Sequence, residues 1–490
     1  MDGTPENRLT RLQTKDAGMG RNAHAVLRYG PALVAGLALR LWMFTRLFHV
    51  SGDSYIYGGL AKNLLLHGTY AIQRSNGLLT PTLIRLPGYP IFLAACFRLF
   101  GMDRYAPVIY VQIALDLASC LLLADFVRRI APAGIANRAA MATLWLAALC
   151  PFTADYSTAV LTETPTLFAI ALAMWAMARF REKPGWAYGL WFTFAVVFAA
   201  MLRPDGALVA IAFAPALVQG LPPGMVSRTR LARLGAICLL LALLPFAAWT
   251  WRNWSIFHVF QPLAPRYAND PWEPTYPGWN RWFKTWSLDW ISTDQIYWNV
   301  PDDPLNMGDL PDRAFDSPAQ RRTTAALFAA YQDADQNLTS ALDARFGRLA
   351  AERIRSHPVR YYLWLPLGRL ADMILRPRIE NLPIDPDWWN YSNHPFETSF
   401  GWAYGALNML YLLLAIAGLC LRPRLWKPLL AYLVLRCLLL LNIGAPEDRY
   451  TLEFFPILFA WGGIAVAVAA QRFLPARAAV QTAADAAGAA

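Results

Sequence analysis

Residues 51–68 of this chain have the sequence SGDSYIYGGLAKNLLLHG and directly follow an apolar run from Arg28 to Phe48. The apolar residues of this stretch recur at the spacing of one helical face: Tyr57, Leu60, Ala61, Leu64 and Leu65. Asp53 stands before this face in the position of an N-cap, and Gly68 follows it as a stop signal. The stretch therefore predicts a short amphipathic helix that lies along a membrane surface and begins with a carboxylate.

Composition sets the class of protein. The 490 residues are 56% hydrophobic and only 16% charged, and they include 20 Trp, which excludes an ordinary soluble domain. Ten apolar segments approach or reach the roughly 17–25 residues that a bilayer requires: 28–48, 105–127, 138–155, 163–180, 185–202, 205–221, 232–251, 399–421, 427–443 and 451–471. The sequence therefore predicts an all-α polytopic membrane protein.

The net charge of +11 is distributed as a topology signal and not as a nucleic-acid patch. Lys and Arg cluster before the first span and after every second one, at 8–28, 128–138, 179–183, 228–233 and 422–427. Because positive residues stay on the cytoplasmic side, we expect both termini in the cytoplasm. The loops 49–104, 152–162, 252–398 and 444–450 are then on the outer side.

This topology divides the chain into five parts. A basic tail, 1–27, has no cleavable signal and precedes a membrane module, 28–251, whose first outer loop is 49–104. An outer domain, 252–398, precedes further membrane helices at 399–473, and the Ala-rich tail 474–490 is predicted to be disordered.

Within the outer domain we predict helices at about 318–334 and 337–356, and an interfacial helix at 361–375. Its Trp-rich beginning, 271–286, fits sugar stacking, lipid headgroup contact or packing in the domain's own core. Trp388 to Tyr391 are interpreted as an aromatic belt before the next span.

Common soluble-enzyme motifs and metal motifs are missing. The six cysteines are scattered singly through apolar segments, so neither a disulfide framework nor a zinc site is predicted. No phosphate-binding glycine loop, His-Glu-x-x-His or Gly-x-Ser-x-Gly motif occurs. The sequence therefore predicts no set of metal ligands, and whether the protein uses a divalent cation stays open.

Charged residues inside predicted spans form a separate group. Arg40 lies in the first span and Asp116 in the second, where each charge costs roughly 2.5–3.5 kcal/mol at a helix centre. Such charges pair or face a polar cavity. We prefer a structural Arg40–Asp116 pair to a role in substrate binding.

The outer face collects acids and arginines at one membrane depth. Residues 85–90, RLPGYP, lead into a second interfacial helix at 91–100, and their prolines and Gly88 hold Arg85 near Asp53. The other members are Asp155, Glu163, Arg203, Arg252 and Arg449. A carboxylate can accept the proton of a hydroxyl, and guanidinium groups can hold a leaving phosphate. The alternatives are a helix-dipole role for Glu163 and a plain turn at 203–206.

Four motifs carry a family resemblance: Gly52-Asp53 with the helix that follows, residues 85–90, residues 161–165 (LTETP), and Arg449-Tyr450. Together they resemble the GT-C glycosyltransferases that use polyprenyl-phosphate sugars, particularly the lipid A aminoarabinose transferase and protein O-mannosyltransferase branch. The resemblance implies that Asp53 is the catalytic acid of the first loop, that Glu163 or Asp155 is the second acid, and that Arg85 and Arg449 contact phosphate or sugar. Further substrate-binding candidates are Tyr57, Tyr89, Arg203 and Tyr450.

The expected function is an inverting transfer of one sugar from undecaprenyl or decaprenyl phosphate to an acceptor hydroxyl, on the outer face of a bacterial inner membrane. Ser54 stands where protein O-mannosyltransferases carry a second acid, and no large inserted sugar-binding domain is present, which disfavours protein acceptors. A lipid, a polysaccharide or a protein acceptor stays open. The alternatives are a flippase or transporter, which would favour internal repeats, and an assembly subunit, which would require no acid cluster.

Overall fold

The computed structural model describes residues 28–50, 52–219, 221–222, 224–385 and 388–473. The predicted tails 1–27 and 474–490 lie outside these described residues. The helices of the membrane module are α1 (28–47), α2 (Asp53–His67), α3 (Gly88–Phe100), α4 (Tyr105–Ile130), α5 (Ala136–Ala148), α6 (Pro151–Tyr156), α7 (Glu163–Glu182), α8 (Trp186–Leu202), α9 (Ala207–Val218) and α10 (Arg228–Phe257).

The remaining helices belong to the outer domain and the last membrane segment. Those of the outer domain are α11 (Pro277–Phe283), α12 (Trp290–Ser292), α13 (Pro318–Gln332), α14 (Ser340–Ser356) and α15 (Leu365–Leu375). The last three are α16 (Pro395–Cys420), α17 (Trp426–Leu440) and α18 (Phe455–Phe473). A 3-10 helix, Asp448–Phe454, leads directly into α18.

Helices occupy all ten predicted spans, which confirms the all-α membrane architecture. One boundary is wrong: the span predicted at 138–155 breaks after Ala148, and the chain restarts as the short helix α6 at Pro151. Pro151 lacks an amide N–H and its ring clashes with the preceding turn, which disfavours a continuous helix here and suits the first turn of α6. The break places residues 150–162 as a buried outer loop between α5 and α7.

Four helices in the described residues are long and apolar enough to cross a membrane: Tyr105–Ile130, Arg228–Phe257, Pro395–Cys420 and Asp448–Arg472. Their burial differs widely. The most apolar window of α18 is 83% buried inside the protein, whereas that of α10 is 6% buried. The apolar surface of α18 is covered by other helices, so we assign α18 to the centre of the bundle. The apolar surface of α10 is not covered by protein, so we assign α10 to the edge that faces lipid.

The first outer loop contains α2, a β-hairpin and α3. Strands β1 (Ala71–Gln73) and β2 (Leu79–Pro81) pair antiparallel, with Ala71 opposite Pro81. Gly88 begins α3 against the last turn of α8, where a Cβ would lie only 2.5 Å from the carbonyl oxygen of Met201. Gly88 therefore permits a close approach of α3 to α8, which fixes α3 and the preceding Arg85 on the bundle.

The outer domain has its own core. Trp279, Trp282 and Trp286 are almost completely buried and pack with Phe328 and Phe346 from α13 and α14. Of the three uses that the Trp-rich sequence left open, the structure favours packing in the core for these three residues. The helices predicted at 318–334, 337–356 and 361–375 correspond to α13, α14 and α15.

The predicted intramembrane pair is present. Arg40 Nε donates a hydrogen bond to Asp116 Oδ2 at 2.7 Å, and Arg40 Nη1 donates to the carbonyl oxygens of Gly36 and Ala148 at 2.8 and 2.7 Å. Both side chains are almost fully buried. The pair ties α1 to α4 and α5, which supports the structural interpretation.

Candidate active site

Asp53 is the first residue of α2, and its side chain does not cap the helix. The N-cap is Gly52, whose φ of 50° lies in the left-handed region that glycine adopts readily, so the N-cap position predicted for Asp53 is wrong by one residue. Gly68 ends the helix at φ 63°, as predicted. The Asp53 carboxylate is consequently available to other partners.

Those partners are two arginines. Arg85 Nη2 donates to Asp53 Oδ1 at 2.6 Å, and Arg449 Nη1 lies 3.6 Å from Asp53 Oδ2. The side chains of Asp53, Arg85 and Arg449 are 26%, 22% and 21% exposed, respectively. They form an open edge that a ligand can reach, immediately after the first membrane helix.

Glu163 is more deeply buried and lies next to Arg203 and Arg449. Its Oε1 accepts a hydrogen bond from Arg203 Nη1 at 2.9 Å and lies 3.9 Å from Arg449 Nη1, while the side chain is only 3% exposed. Thr162 is the N-cap of α7 without a side-chain capping bond. Glu163 therefore links the second outer loop to the Asp53 cluster as well as standing in the first turn of a helix.

Arg203 is held by further acids. Its Nε lies 3.5 Å from Asp205 Oδ1 and 3.3 Å from Glu453 Oε1. Arg436 Nη1 lies 2.7 Å from the second oxygen of each of these carboxylates. The turn predicted at 203–206 is present as a 3-10 turn, and its Arg and Asp also join a buried ionic network.

Electrostatics keep Asp53 ionised. Burial alone would raise the pKa of this carboxyl group, but the positive charges of Arg85 and Arg449 outweigh burial and hold its pKa below the ordinary value. At neutral pH Asp53 is therefore a carboxylate that can accept a proton.

The predicted tyrosines lie around this cluster. Tyr57 and Tyr89 make an edge-to-face contact with ring centroids 5.0 Å apart, and Tyr89 donates to Gln112 Oε1 at 2.7 Å. Burial raises the pKa of Tyr57 to about 12, so it keeps its phenolic proton. The Tyr450 ring contacts the guanidinium groups of Arg203 and Arg449. All three rings therefore support the cluster or its neighbouring helices.

Asp155 lies beside the cluster and has a different environment. Its Oδ1 accepts a hydrogen bond from Asn381 Nδ2 at 3.0 Å, and with the described residues it makes no ion pair with an arginine. Burial raises the pKa of this carboxyl group to about 7, against the opposing effect of the Asn381 hydrogen bond. Between the two proposed second acids, Glu163 is the one that contacts the cluster.

We predict that Asp155→Asn changes the pH dependence of stability. A raised pKa in the folded state contributes stability below the unfolded value of 3.8, and this contribution is lost as the pH rises through about 7. Asn keeps the oxygen that accepts from Asn381 but carries no charge. The thermal midpoint of the variant relative to wild type should therefore be higher at pH 8 than at pH 5, since each pKa unit corresponds to about 1.4 kcal/mol.

Thermal unfolding in detergent at the two pH values measures this difference. Asp103→Asn is a suitable control because Asp103 is 46% exposed and paired only with the exposed Lys62 in the salt bridges of the described residues. An equal offset for Asp155→Asn at both pH values would contradict the prediction.

Arg252 does not join the cluster. Its Nη1 donates to the carbonyl oxygen of Thr82 at 2.7 Å and its Nη2 to that of Tyr70 at 2.8 Å, which fixes the β-hairpin to the end of α10. A separate group of metal-ligating residue types, Asp385, His394 and Glu397, lies before and in the first turn of α16.

Several buried charges of this face were not singled out in the sequence. Arg436 and Glu453 lie in predicted membrane spans, where a charged side chain is expected to pair with another. Their position in these spans could therefore have indicated that they form buried ion pairs. Glu447, which lies 2.5 Å from Arg449 Nε, belongs to the predicted outer loop 444–450 and was not among the predicted site residues. Arg378 and Glu380 had no sequence signal.

The arrangement provides three chemical functions at one membrane surface. A carboxylate that stays ionised can accept a proton, two partly exposed guanidinium groups can bind an anion, and a deeper layer of ion pairs holds them. These functions suit group transfer from a phosphate-bearing donor.

Residues 84–249 match the protein family described as dolichyl-phosphate-mannose-protein mannosyltransferase, which confirms the likeness predicted for this branch of glycosyltransferases. The matched range is less than half of the chain. It includes Arg85, Tyr89, Asp155, Glu163 and Arg203, whereas Asp53 and Arg449 lie outside it. No curated protein sequence matches the chain.

Similar solved structures include two glycosyltransferases. The oligosaccharyltransferase of Archaeoglobus fulgidus, tethered to an acceptor peptide, has a TM-score of 0.48 and 12% identity over 91% of this chain and 50% of that chain. ArnT of Cupriavidus metallidurans, bound to undecaprenyl phosphate, has a TM-score of 0.39 and 14% identity over 91% of this chain and 78% of that chain. The present chain thus spans about half the length of the archaeal enzyme.

Proposed function

We propose that this chain is an integral-membrane glycosyltransferase that moves a sugar from a polyprenyl-phosphate donor to an acceptor hydroxyl. The observation that carries the proposal is the position of Asp53. It is partly exposed, directly follows the first membrane helix, and lies between Arg85 and Arg449. A polyprenyl donor holds its phosphate at this depth because its tail is buried in the bilayer.

In the proposed reaction Asp53 is the general base. It takes the proton of the acceptor hydroxyl as the acceptor oxygen forms a bond with the anomeric carbon of the sugar. The bond between that carbon and the phosphate oxygen breaks, and the polyprenyl phosphate leaves with the electron pair. A single displacement of this kind inverts the anomeric centre.

Arg85 and Arg449 are the proposed phosphate ligands. Negative charge develops on the phosphate as it leaves, and preorganised guanidinium groups stabilise that charge more in the transition state than in the ground state. Glu163 lies in the layer below, where it pairs with Arg203 and attracts Arg449 by charge. Tyr57, Tyr89 and Tyr450 line or support this site.

The acceptor class stays open among lipids, polysaccharides and proteins. We propose that the site lies on the outer face of a bacterial inner membrane. The loops rich in Lys and Arg are expected on the cytoplasmic side, which leaves the loops that carry the site on the outer side. The side chains of Asp385, His394 and Glu397 are of types that bind divalent cations. No step of the proposed transfer uses a cation. A flippase would not require a base between two arginines.

We predict that Arg85→Lys and Arg449→Lys each weaken the binding of undecaprenyl phosphate. A guanidinium matches two phosphate oxygens with a planar fork, whereas an ammonium group offers a point charge. The loss should be roughly tenfold, which corresponds to about 1.4 kcal/mol for a bidentate charged contact. Equilibrium binding of undecaprenyl phosphate to the full-length protein in detergent measures the affinity.

Arg345→Lys is the control, because Arg345 lies exposed on α14 in the outer domain. It should leave the affinity unchanged. Wild-type affinity in both Arg85→Lys and Arg449→Lys would assign these arginines to structural roles and would remove the phosphate site from the proposal.

A further inference from the structure

One segment of the outer domain holds the peptide groups next to Arg449. This segment, which we call the 376–381 strap, consists of Arg376-Pro377-Arg378-Ile379-Glu380-Asn381 and follows α15 with its first residue in an extended conformation. Neither composition nor resemblance indicated a role for it. Its contacts reach the 3-10 helix Asp448–Phe454 and the second outer loop.

Glu380 holds the amide side of Asp448. The Asp448 N–H donates to both carboxylate oxygens of Glu380, at 2.9 and 3.0 Å. Asp448 is the first residue of its 3-10 helix, and its N-cap, Glu447, makes no side-chain capping bond. A helix N-terminus leaves its first N–H groups without partners and favours negative charge, so Glu380 stabilises this terminus from a distant segment.

Arg378 holds the carbonyl side of the same residue. Its Nη1 donates to the Asp448 carbonyl oxygen at 2.9 Å, and its Nη2 donates to Thr451 Oγ1. Its Nε donates to Asn408 Oδ1 of α16 at 3.1 Å, and the side chain is buried. The guanidinium fork thereby joins the strap, α16 and the 3-10 helix in one rigid arrangement.

Arg449 itself is only loosely held at its working end. Its Nη1 lies 3.6 Å from Asp53 and 3.9 Å from Glu163, distances that are too long for hydrogen bonds. Among the described residues, its close ionic contact is with Glu447 at 2.5 Å and involves Nε, nearer the backbone. The direction of the guanidinium group toward Asp53 therefore depends on where the backbone of residues 447–449 is placed.

We propose that Glu380 and Arg378 are positioning residues that set the guanidinium group of Arg449 for the donor phosphate. This inference rests on the proposed function, because it assigns the strap a role through a phosphate-binding arginine. The strap also reaches the second outer loop, where Asn381 donates to Asp155 at 3.0 Å. The outer domain thus contributes directly to the geometry of the membrane-surface site.

A double-mutant cycle on the full-length protein tests the proposal, with undecaprenyl phosphate as the probe. Glu380→Ala removes both acceptors of the Asp448 N–H and should weaken binding of the probe roughly tenfold. A change of this size lies within the range of interaction energies measured between residues of one hydrogen-bond network. Glu380→Gln keeps one acceptor oxygen and should restore most of the affinity. In an Arg449→Ala background, Glu380→Ala should have almost no further effect.

The outcomes separate the two levels of the proposal. If wild type binds the probe but Glu380→Ala weakens it equally with and without Arg449, the positioning role is overturned while the proposed function stands. If wild type does not bind the probe, both are overturned. Glu352→Ala, an exposed acid on α14, should leave binding unchanged. Should Glu380→Ala fail to fold, the same cycle with Arg378→Lys distinguishes the same two outcomes.

Discussion

Asp53→Asn should reduce sugar transfer by roughly 10²–10⁴-fold, the range for loss of a general base. Asn cannot take a proton, but its oxygen can still accept the hydrogen bond that Arg85 donates to Asp53 at 2.6 Å. The substitution also leaves the helix cap intact, because Gly52 and not Asp53 is the N-cap of α2. Expression and thermal stability should therefore stay near wild type while turnover falls.

Asp103→Asn provides the matched control in the same outer loop. Asp103 is exposed, and its salt-bridge partner among the described residues is Lys62 and neither of the two arginines that contact Asp53. We expect wild-type transfer from this variant. If Asp53→Asn also transferred at the normal rate, Asp53 would be only an ion-pair partner of Arg85, and Glu163 would become the base to test, since it lies 3.9 Å from Arg449.

Asp116→Ala should strongly destabilise the protein. The substitution leaves the Arg40 guanidinium fully buried with two carbonyl oxygens, of Gly36 and Ala148, as its remaining partners among the described hydrogen bonds. Removing one partner of a buried pair typically costs about 3–5 kcal/mol. The thermal midpoint in detergent should fall accordingly, and less folded protein should be recovered from membranes.

The double variant Arg40→Leu/Asp116→Leu distinguishes a structural pair from a functional one. Replacing both charges with apolar residues removes the uncompensated charge, so most of the stability should return. Transfer should return with it. A stable Asp116→Ala protein that had lost transfer would contradict the structural interpretation and indicate a substrate role for this pair.

Hydropathy and local chain chemistry were enough for much of the architecture. The apolar runs predicted ten spans, all of which are helical, and Pro87 and Gly88 correctly indicated that Arg85 would be held near Asp53. The β-hairpin was missed, although Asn76-Gly77 at its turn is a strong hairpin signal. Its strands are only three residues long, too short for a period of two to be visible.

The ionic layer below the site could not be derived from local pattern. Arg436 pairs with Asp205 across 231 positions of sequence, and Glu380 reaches the Asp448 amide across 68. Only the packing of helices brings such groups together. A buried charge in an apolar span indicates that a partner exists, but its identity depends on the tertiary arrangement.

Asp155 illustrates a second limit. The sequence offered Asp155 and Glu163 equally as the second acid, because both lie in or next to the loop between α5 and α7. The structure gives Asp155 an amide partner from the outer domain, whereas Glu163, which is equally buried, contacts two arginines. The difference arises because Pro151 breaks the third predicted span and turns residues 150–156 into the protein.

Release of polyprenyl phosphate is the direct test of sugar transfer with Asp53 as the general base. Full-length protein in proteoliposomes is supplied with a labelled polyprenyl-phosphate sugar and with membrane extract as the source of acceptors. We expect wild type to transfer the label to an acceptor and to release free polyprenyl phosphate in equal amount, and Asp53→Asn to do neither at a comparable rate. Movement of the intact labelled donor across the bilayer, without release of polyprenyl phosphate, would contradict this expectation.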